Sequence, residues 1–301
     1  MKNRIQKGCC FAGSNRRLEW LRIRTAGART MVFVPPLIGG NFSQPAAEFR
    51  FLLRRGCDLF SFNYAGHGHS SGKFCLGRSL EDTAVMLCRA AVIAESEGLS
   101  LDGIGICYST IPLLNAIQSR SIRIRRLVLI SAVPSLTVPL ILRAYIEYLR
   151  NPPPELRRPD GRWKLPQRFG EFMLPGVPKS RRRFGLLSRK RARLLRIFCD
   201  LVLDPRVTIQ RPIDLPALCL YGSRDRILQM YRQNDSNTYE RQIRRICRRV
   251  HIRRLCADHR LQPLAAKNEA RRWIESFLVQ DETVDPDRFS SLPESSFPSP
   301  G

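Results

Sequence analysis

Short, almost wholly apolar runs alternate with longer amphipathic ones along most of this chain, and that alternation limits the folds open to it. M-V-F-V-P from Met31, C-D-L-F-S-F-N from Cys57, L-D-G-I-G-I from Leu101, R-R-L-V-L-I-S-A through Leu127 and L-P-A-L-C-L-Y-G from Leu215 read as strands with no polar face. Such strands must be covered on both sides, which predicts a mostly parallel sheet between two layers of helix, an α/β architecture. R-L-E-W-L-R-I-R-T predicts an earlier strand, closed by a turn at Ala26-Gly27, and R-V-H-I-R-R-L from Arg249 a last one. A-A-E-F-R-F-L-L-R-R predicts a helix stopped by Gly56. Ser79, with Asp82 three residues on, predicts the capped start of a helix that runs to about Glu97 and stops at Gly98. S-T-I-P-L-L-N-A-I and the amphipathic P-L-A-A-K-N-E-A-R-R-W-I-E-S-F-L predict two more helices.

The pattern breaks between about Pro134 and Pro212, where Pro and Arg are dense and periodicity is weak. This segment reads as an insertion over one end of the sheet. The expected organisation is an N-terminal extension at 1–16, a core at 17–133 and 213–280, a basic cap at 134–212, and a disordered acidic and Ser/Pro-rich tail at 281–301. The apolar stretch Leu127–Leu142 is short for a membrane span and holds Pro134 and Pro139, so a buried strand and a separate segment are expected there. The N-terminus has no apolar stretch of the signal-peptide kind, and a cytoplasmic protein is expected.

Fifty-one basic against 26 acidic residues give a formal net charge of +25. All but seven of the basic residues are arginine, whose planar guanidinium pairs bidentately with phosphate and carboxylate. The balance points to anionic partners or to a solvated basic surface. Arg181, Arg182, Arg183, Arg189, Lys190, Arg191 and Arg193 form the densest run, but no nucleic-acid-binding motif or interleaved aromatics accompany it. The ten cysteines show no C-x-x-C pair and no zinc-like Cys/His spacing, which fits reduced thiols and no metal or other cofactor.

G-I-C-Y-S, residues 105–109, lies between a predicted strand and a predicted helix, the setting of a nucleophile on a sharp turn. Gly105 and Ser109 are small enough for that turn, and a helix N-terminus favours a thiolate at Cys107. A nucleophile of this kind needs an acid and then a histidine further along the chain. Asp225 follows the strand from Leu215 in G-S-R-D, and His259 follows the last strand in C-A-D-H-R. Asp225 would orient the imidazole, and His259 would move the Cys107 proton. Asp258 reads as a helix cap or a surface carboxylate. His251 reads as a packed or surface strand residue, and His67 and His69 as solvated loop residues.

With these pieces in register the chain resembles the α/β-hydrolase superfamily over residues 17–279. V-F-V-P-P-L-I-G-G resembles its oxyanion loop, and F-N-Y-A-G-H-G-H-S-S-G the D-x-R-G-x-G-x-S-x-G loop of its monoglyceride-lipase-like and aminopeptidase-like branch. G-I-C-Y-S corresponds to G-x-S-x-G. The chain departs from the pattern in three places. Cys107 stands where serine is usual, as in dienelactone hydrolases and in polyhydroxyalkanoate synthases, which act on acyl-CoA. Pro35-Pro36 replaces His-Gly, and Ser109 replaces the last Gly. Because proline has no N–H, the resemblance implies an oxyanion hole from the backbone N–H groups of Leu37, or Ile38, and Tyr108.

The resemblance and the residues together imply hydrolysis of an ester or thioester through an acyl-Cys107 intermediate. The alternatives are acyl transfer from CoA or a carrier protein, and a ligand-binding homologue without turnover. Expected partners are a small acyl substrate, anionic where CoA or a carrier protein bears it, and an anionic membrane met through the basic cap. No specific nucleic-acid partner is expected.

Overall fold

The computed structural model describes residues 4–13, 16–120, 122–150, 199–200, 209, 211–229 and 238–279. Among them eight strands form one sheet in the order β1-β2-β4-β3-β5-β6-β7-β8. The strands are β1 (Arg4–Ala12), β2 (Arg16–Arg24), β3 (Thr30–Phe33), β4 (Cys57–Phe62), β5 (Ser100–Ile106), β6 (Leu127–Ile130), β7 (Ala217–Gly222) and β8 (Val250–Leu255). β1 and β2 are antiparallel to each other, and β2 is antiparallel to β4; all pairings from β4 to β8 are parallel. Every residue of β3, β4, β6 and β7 is buried, as the apolar runs require.

Helices cover both faces. On one lie α2 (Leu76–Ser96), α3 (Thr110–Arg120) and α6 (Thr238–Ile246), which bury Leu87, Leu113 and Ile243 with Met31, Leu129 and Tyr221 of the sheet. On the other lie a 3-10 helix (Arg50–Arg55) and α7 (Leu264–Val279), which bury Leu52, Trp273 and Phe277 against Val32, Ile104 and Leu218. Shorter elements are α1 (Ser43–Glu48) and α5 (Arg226–Gln229), and α4 (Val138–Arg150) follows β6. No helix of the described residues is long and apolar enough to cross a membrane.

The structure adds to and corrects the sequence reading in several places. Residues 4–12 of the expected N-terminal extension are a sheet strand. β1 is an edge strand whose exposure alternates only weakly, with Ile5 and Phe11 facing solvent, so no apolar face betrays it. Its Gly8 pairs with Trp20 and takes the indole where a side chain would sit, since a Cβ there would lie 2.4 Å from Trp20 Cζ2. The helix expected at Ser79 starts at Leu76, after Cys75. Ser79 and Asp82 are buried and used sideways. Ser79 Oγ donates to Leu76 O (2.6 Å) and meets Tyr108 Oη (2.8 Å), while Asp82 Oδ2 accepts Ala65 N–H (2.9 Å). The single helix expected before Gly56 is α1 followed by the 3-10 turn, ended by Gly56 at φ 73°. The basic run 181–193 and the tail 281–301 lie outside the described residues.

The strand order places the site. β3 pairs with β4 on one side and with β5 on the other, so the chain reverses its direction of travel across the sheet at β3. Loops leaving the C-terminal ends of β3 and β5 therefore diverge, and a crevice opens between them, the usual ligand position in open parallel sheets. Residues 34–42 follow β3, Cys107 follows β5, Asp225 follows β7 and His259 follows β8.

Candidate active site

Ile106 ends β5 in extended geometry, and the next residue, Cys107, takes φ 49°. A non-glycine residue in that region is strained and persists only where its surroundings hold it. Three contacts do so. Ser109 is fully buried; its Oγ accepts Ile106 N–H and donates to Ile106 O, both at 2.9 Å, so the hydroxyl that replaces the family's glycine ties the turn to the strand. Val133 N–H donates to Cys107 O (3.2 Å) from the loop after β6. Gly105 lets α3 approach, since a Cβ there would stand 3.0 Å from Thr110 Cα. The turn passes through a short 3-10 segment, Cys107–Ser109, into α3, which sets Cys107 and Tyr108 N–H at a helix N-terminus.

Asp225 is fully buried. Its Oδ1 accepts Ile227 N–H (3.0 Å) and Leu228 N–H (3.1 Å) from the first turn of α5, which leaves Oδ2 for His259 Nδ1 at 2.7 Å. Cys107 lies close enough to the His259 ring to influence its protonation. Burial by itself would lower the His259 pKa. The charge of Cys107 and the hydrogen bond to Asp225 outweigh it, and the pKa is raised from 6.5 to about 10. Asp258 caps no helix. Its Oδ1 accepts Arg260 N–H (2.8 Å) and Gln262 N–H (2.9 Å) and so shapes the loop that carries His259.

That loop also rests on Gly222, at the end of β7. A Cβ there would lie 2.4 Å from both Ala257 O and Asp258 O, backbone atoms that cannot move without taking His259 along. Gly222→Ala is therefore expected to cost about 1–3 kcal/mol and to loosen the Asp225–His259 pair. Urea unfolding checks the first effect, and the His259 ring proton shifts check the second.

Six of the other nine thiols differ from Cys107 in burial. Burial pushes Cys57, Cys219 and Cys247 up to about 12, so they stay protonated at neutral pH. Cys9, Cys199 and Cys256 are exposed.

Two further observations concern the loop after β3. Val34 N–H still donates to Phe60 O (2.9 Å), and the ladder then ends at the buried Pro35-Pro36, which have no N–H to give. Gly40 N–H donates to Leu37 O (2.9 Å) across a turn whose third residue, Gly39, has φ 77°. Among the described residues the N–H groups of Leu37 and Ile38 donate to no protein acceptor.

The sequence profile described as the alpha/beta hydrolase family matches residues 31–269. The chain belongs to the alpha/beta hydrolase family. No curated protein sequence matches this hydrolase. Among solved structures, an esterase from Pyrococcus furiosus is 14% identical, covers 92% of this chain and 90% of its own, and gives a TM-score of 0.59. A soluble variant of monoglyceride lipase from Saccharomyces cerevisiae, bound to a substrate analog, is 14% identical over 92% and 94% of the two chains, with a TM-score of 0.58. Alpha/beta hydrolase domain-containing protein 10 from mouse is 17% identical over 90% and 97%, with a TM-score of 0.55. At such identities the likeness establishes the fold.

The structure of this α/β-hydrolase brings together Cys107, Asp225 and His259, the three residues picked from sequence. His251 lies half-buried within β8 and His69 is exposed, as expected. His67 departs from expectation. It is only 4% exposed, with its ring edge-on to Tyr64 and Phe74 at 6.0 and 5.0 Å. Its Nδ1 faces Ala65 O (3.3 Å), and its Nε2 accepts Gly39 N–H at 3.1 Å. Asn63 was not singled out from sequence either, yet its Oδ1 accepts Phe42 N–H (2.8 Å). The one sequence signal for both was their place in F-N-Y-A-G-H-G-H-S-S-G.

Proposed function

We propose that this α/β-hydrolase cleaves an ester or thioester through an acyl-Cys107 intermediate. The observation that carries the reading is the 2.7 Å hydrogen bond between the buried Asp225 and His259, with Cys107 close enough to the same ring to raise its pKa. The class of bond is supported by the relatives named above, an esterase and a monoglyceride lipase. Thioesters join it because exchange of an acyl group from one sulfur to another is close to balanced in energy and suits a cysteine nucleophile.

With its pKa raised to about 10, His259 holds the Cys107 proton at neutral pH, and the thiolate attacks the substrate carbonyl carbon. The electron pair of the C=O bond moves onto oxygen, which accepts hydrogen bonds from Tyr108 N–H and Leu37 N–H. When the tetrahedral centre collapses, the leaving alkoxide or thiolate takes the proton from His259, and the acyl group stays on Cys107. Water then gives a proton to His259 and attacks the thioester carbonyl. Cys107 leaves as thiolate, and the proton stays on His259 for the next cycle. Among the described residues the Leu37 N–H donates to no protein acceptor, which leaves a donor for the oxyanion despite Pro35-Pro36.

The test mixes the full chain with p-nitrophenyl esters and acyl-CoA thioesters of graded length and follows intact mass, then locates the adduct by peptide mapping. The expected result is one acyl group, on the Cys107 peptide, formed before steady turnover. No adduct and no turnover with any member of the panel, or turnover that survives in Cys107→Ala, overturns the reading.

A further inference from the structure

We infer that His67 is a positioning residue that holds the oxyanion loop in shape, through the hydrogen bond from Gly39 N–H to His67 Nε2. The inference rests on the acyl-Cys107 reading and adds to it the part that replaces the missing His-Gly motif.

The oxyanion loop has little to stiffen it from within. It carries two prolines that cannot donate, and two glycines, Gly39 and Gly40. Its internal turn bond is Gly40 N–H to Leu37 O, and it needs Gly39 at positive φ. A turn of that kind can flip its central peptide unless something holds it. The group that holds it is His67. The Nδ1 faces a carbonyl, Ala65 O, so it carries the proton, and Nε2 keeps the lone pair that receives Gly39 N–H. Asn63 pins the far end of the loop at Phe42 N–H, and its Nδ2 donates to Glu19 Oε2 at 2.9 Å. Leu37 and Ile38, whose N–H groups are unengaged, lie just ahead of these two clamps.

The clamp itself stands on a rigid base. His67 N–H donates to Tyr64 O (2.9 Å) and Ser70 N–H to His67 O (2.9 Å), two consecutive turns. Ser70 Oγ accepts Glu19 N–H (2.9 Å) and Ser71 Oγ accepts Arg17 N–H (2.7 Å), which staples those turns to β2. Gly68, at φ 52°, gives Asn63 its room: a Cβ there would fall 2.3 Å from Asn63 Nδ2. The G-H-G-H-S-S sequence thus folds into a bracket that aims one imidazole nitrogen at the loop after β3.

The test separates two reactions of the same sulfur. Acylation by a p-nitrophenyl ester passes through an oxyanion and needs the loop. Alkylation by iodoacetamide displaces iodide at a saturated carbon, forms no oxyanion, and needs only the Cys107–His259 pair. Asparagine at 67 can still reach Ala65 O but offers no acceptor to Gly39, whereas glutamine places its Oε1 three bonds beyond Cβ, where Nε2 stands. The expected result is that His67→Asn lowers the Cys107 acylation rate by about 10- to 100-fold and leaves its alkylation within about twofold. His67→Gln should recover most of the acylation. Rates are read on the Cys107 peptide, and thermal melts establish that each variant is folded. Acylation of His67→Asn at the wild-type rate, or equal losses of acylation and alkylation in both variants, would falsify the role of His67 alone. Absence of acylation in the wild type would instead remove the reading beneath it, and the inference with it.

Discussion

Asp225→Asn is expected to lower turnover by about 10⁴-fold with little change in stability. The amide keeps Oδ1 for Ile227 N–H and Leu228 N–H, so α5 stays capped. It puts an NH₂ group where Oδ2 meets His259 Nδ1. Two donors cannot face each other at 2.7 Å, so the imidazole moves its own proton to the other nitrogen, against Cys107. His259 can then no longer take the Cys107 proton. The same change removes part of what holds the His259 pKa at about 10, against the lowering by burial. A folded-state pKa above the unfolded one contributes stability that is complete below 6.5 and lost as pH rises toward about 10. In Asp225→Asn that alkaline loss should still begin near 6.5 but end at a lower pH and be smaller. Initial rates and urea unfolding between pH 6 and 10, read beside a histidine NMR titration, check both halves. A turnover within tenfold of wild type would remove Asp225 from the mechanism.

Arg22→Met is expected to cost about 3–5 kcal/mol of stability. Arg22 is 1% exposed, an unusual place for a guanidinium. Its Nε donates to Asp58 Oδ2 at 2.9 Å, and its terminal nitrogens reach Glu97 at 2.6 and 2.7 Å. The pair thus ties β2 to β4 and to the end of α2. Asp58 is also 1% exposed, and its Oδ1 accepts Thr25 N–H at 2.7 Å. Methionine would leave that carboxylate buried beside an apolar chain with one backbone donor, and the cost is mostly that uncompensated charge. Adding Asp58→Leu to Arg22→Met should recover more than half of the loss, because an apolar pair has no charge to strand. Chemical denaturation of the single and double variants measures it. A single variant within 1 kcal/mol of wild type would mean water reaches Asp58.

The sequence was most readable where one requirement acted on many residues at once. Strands buried on both faces admit only apolar side chains, and this made β3, β4, β6 and β7 legible. Cys107, Asp225 and His259 stood out for a related reason: each follows a strand expected from sequence, although β8, ahead of His259, is only partly buried. Misreadings came where a residue's partner lies far along the chain. Ser79 and Asp82 have the spacing of a local cap, but their partners, Tyr108 and Ala65, belong to other loops. His67 has the composition of a solvated loop around it, and only the fold brings Tyr64, Phe74 and Gly39 over it. β1 carries one half-hidden face at the sheet edge, too weak a signal to stand out among basic residues.

The reversal of travel at β3 has a further consequence, for how this protein would lose activity. Leu37, His67, Cys107, Asp225 and His259 are contributed from five different strand ends and are separated by as many as 222 positions. No contiguous fragment of the chain holds a working subset, because the acid and the imidazole stand on the two strands that join the sheet last in sequence. Turnover is thus a non-local property, and it should disappear in step with the sheet itself during denaturation, with no active remnant outliving it.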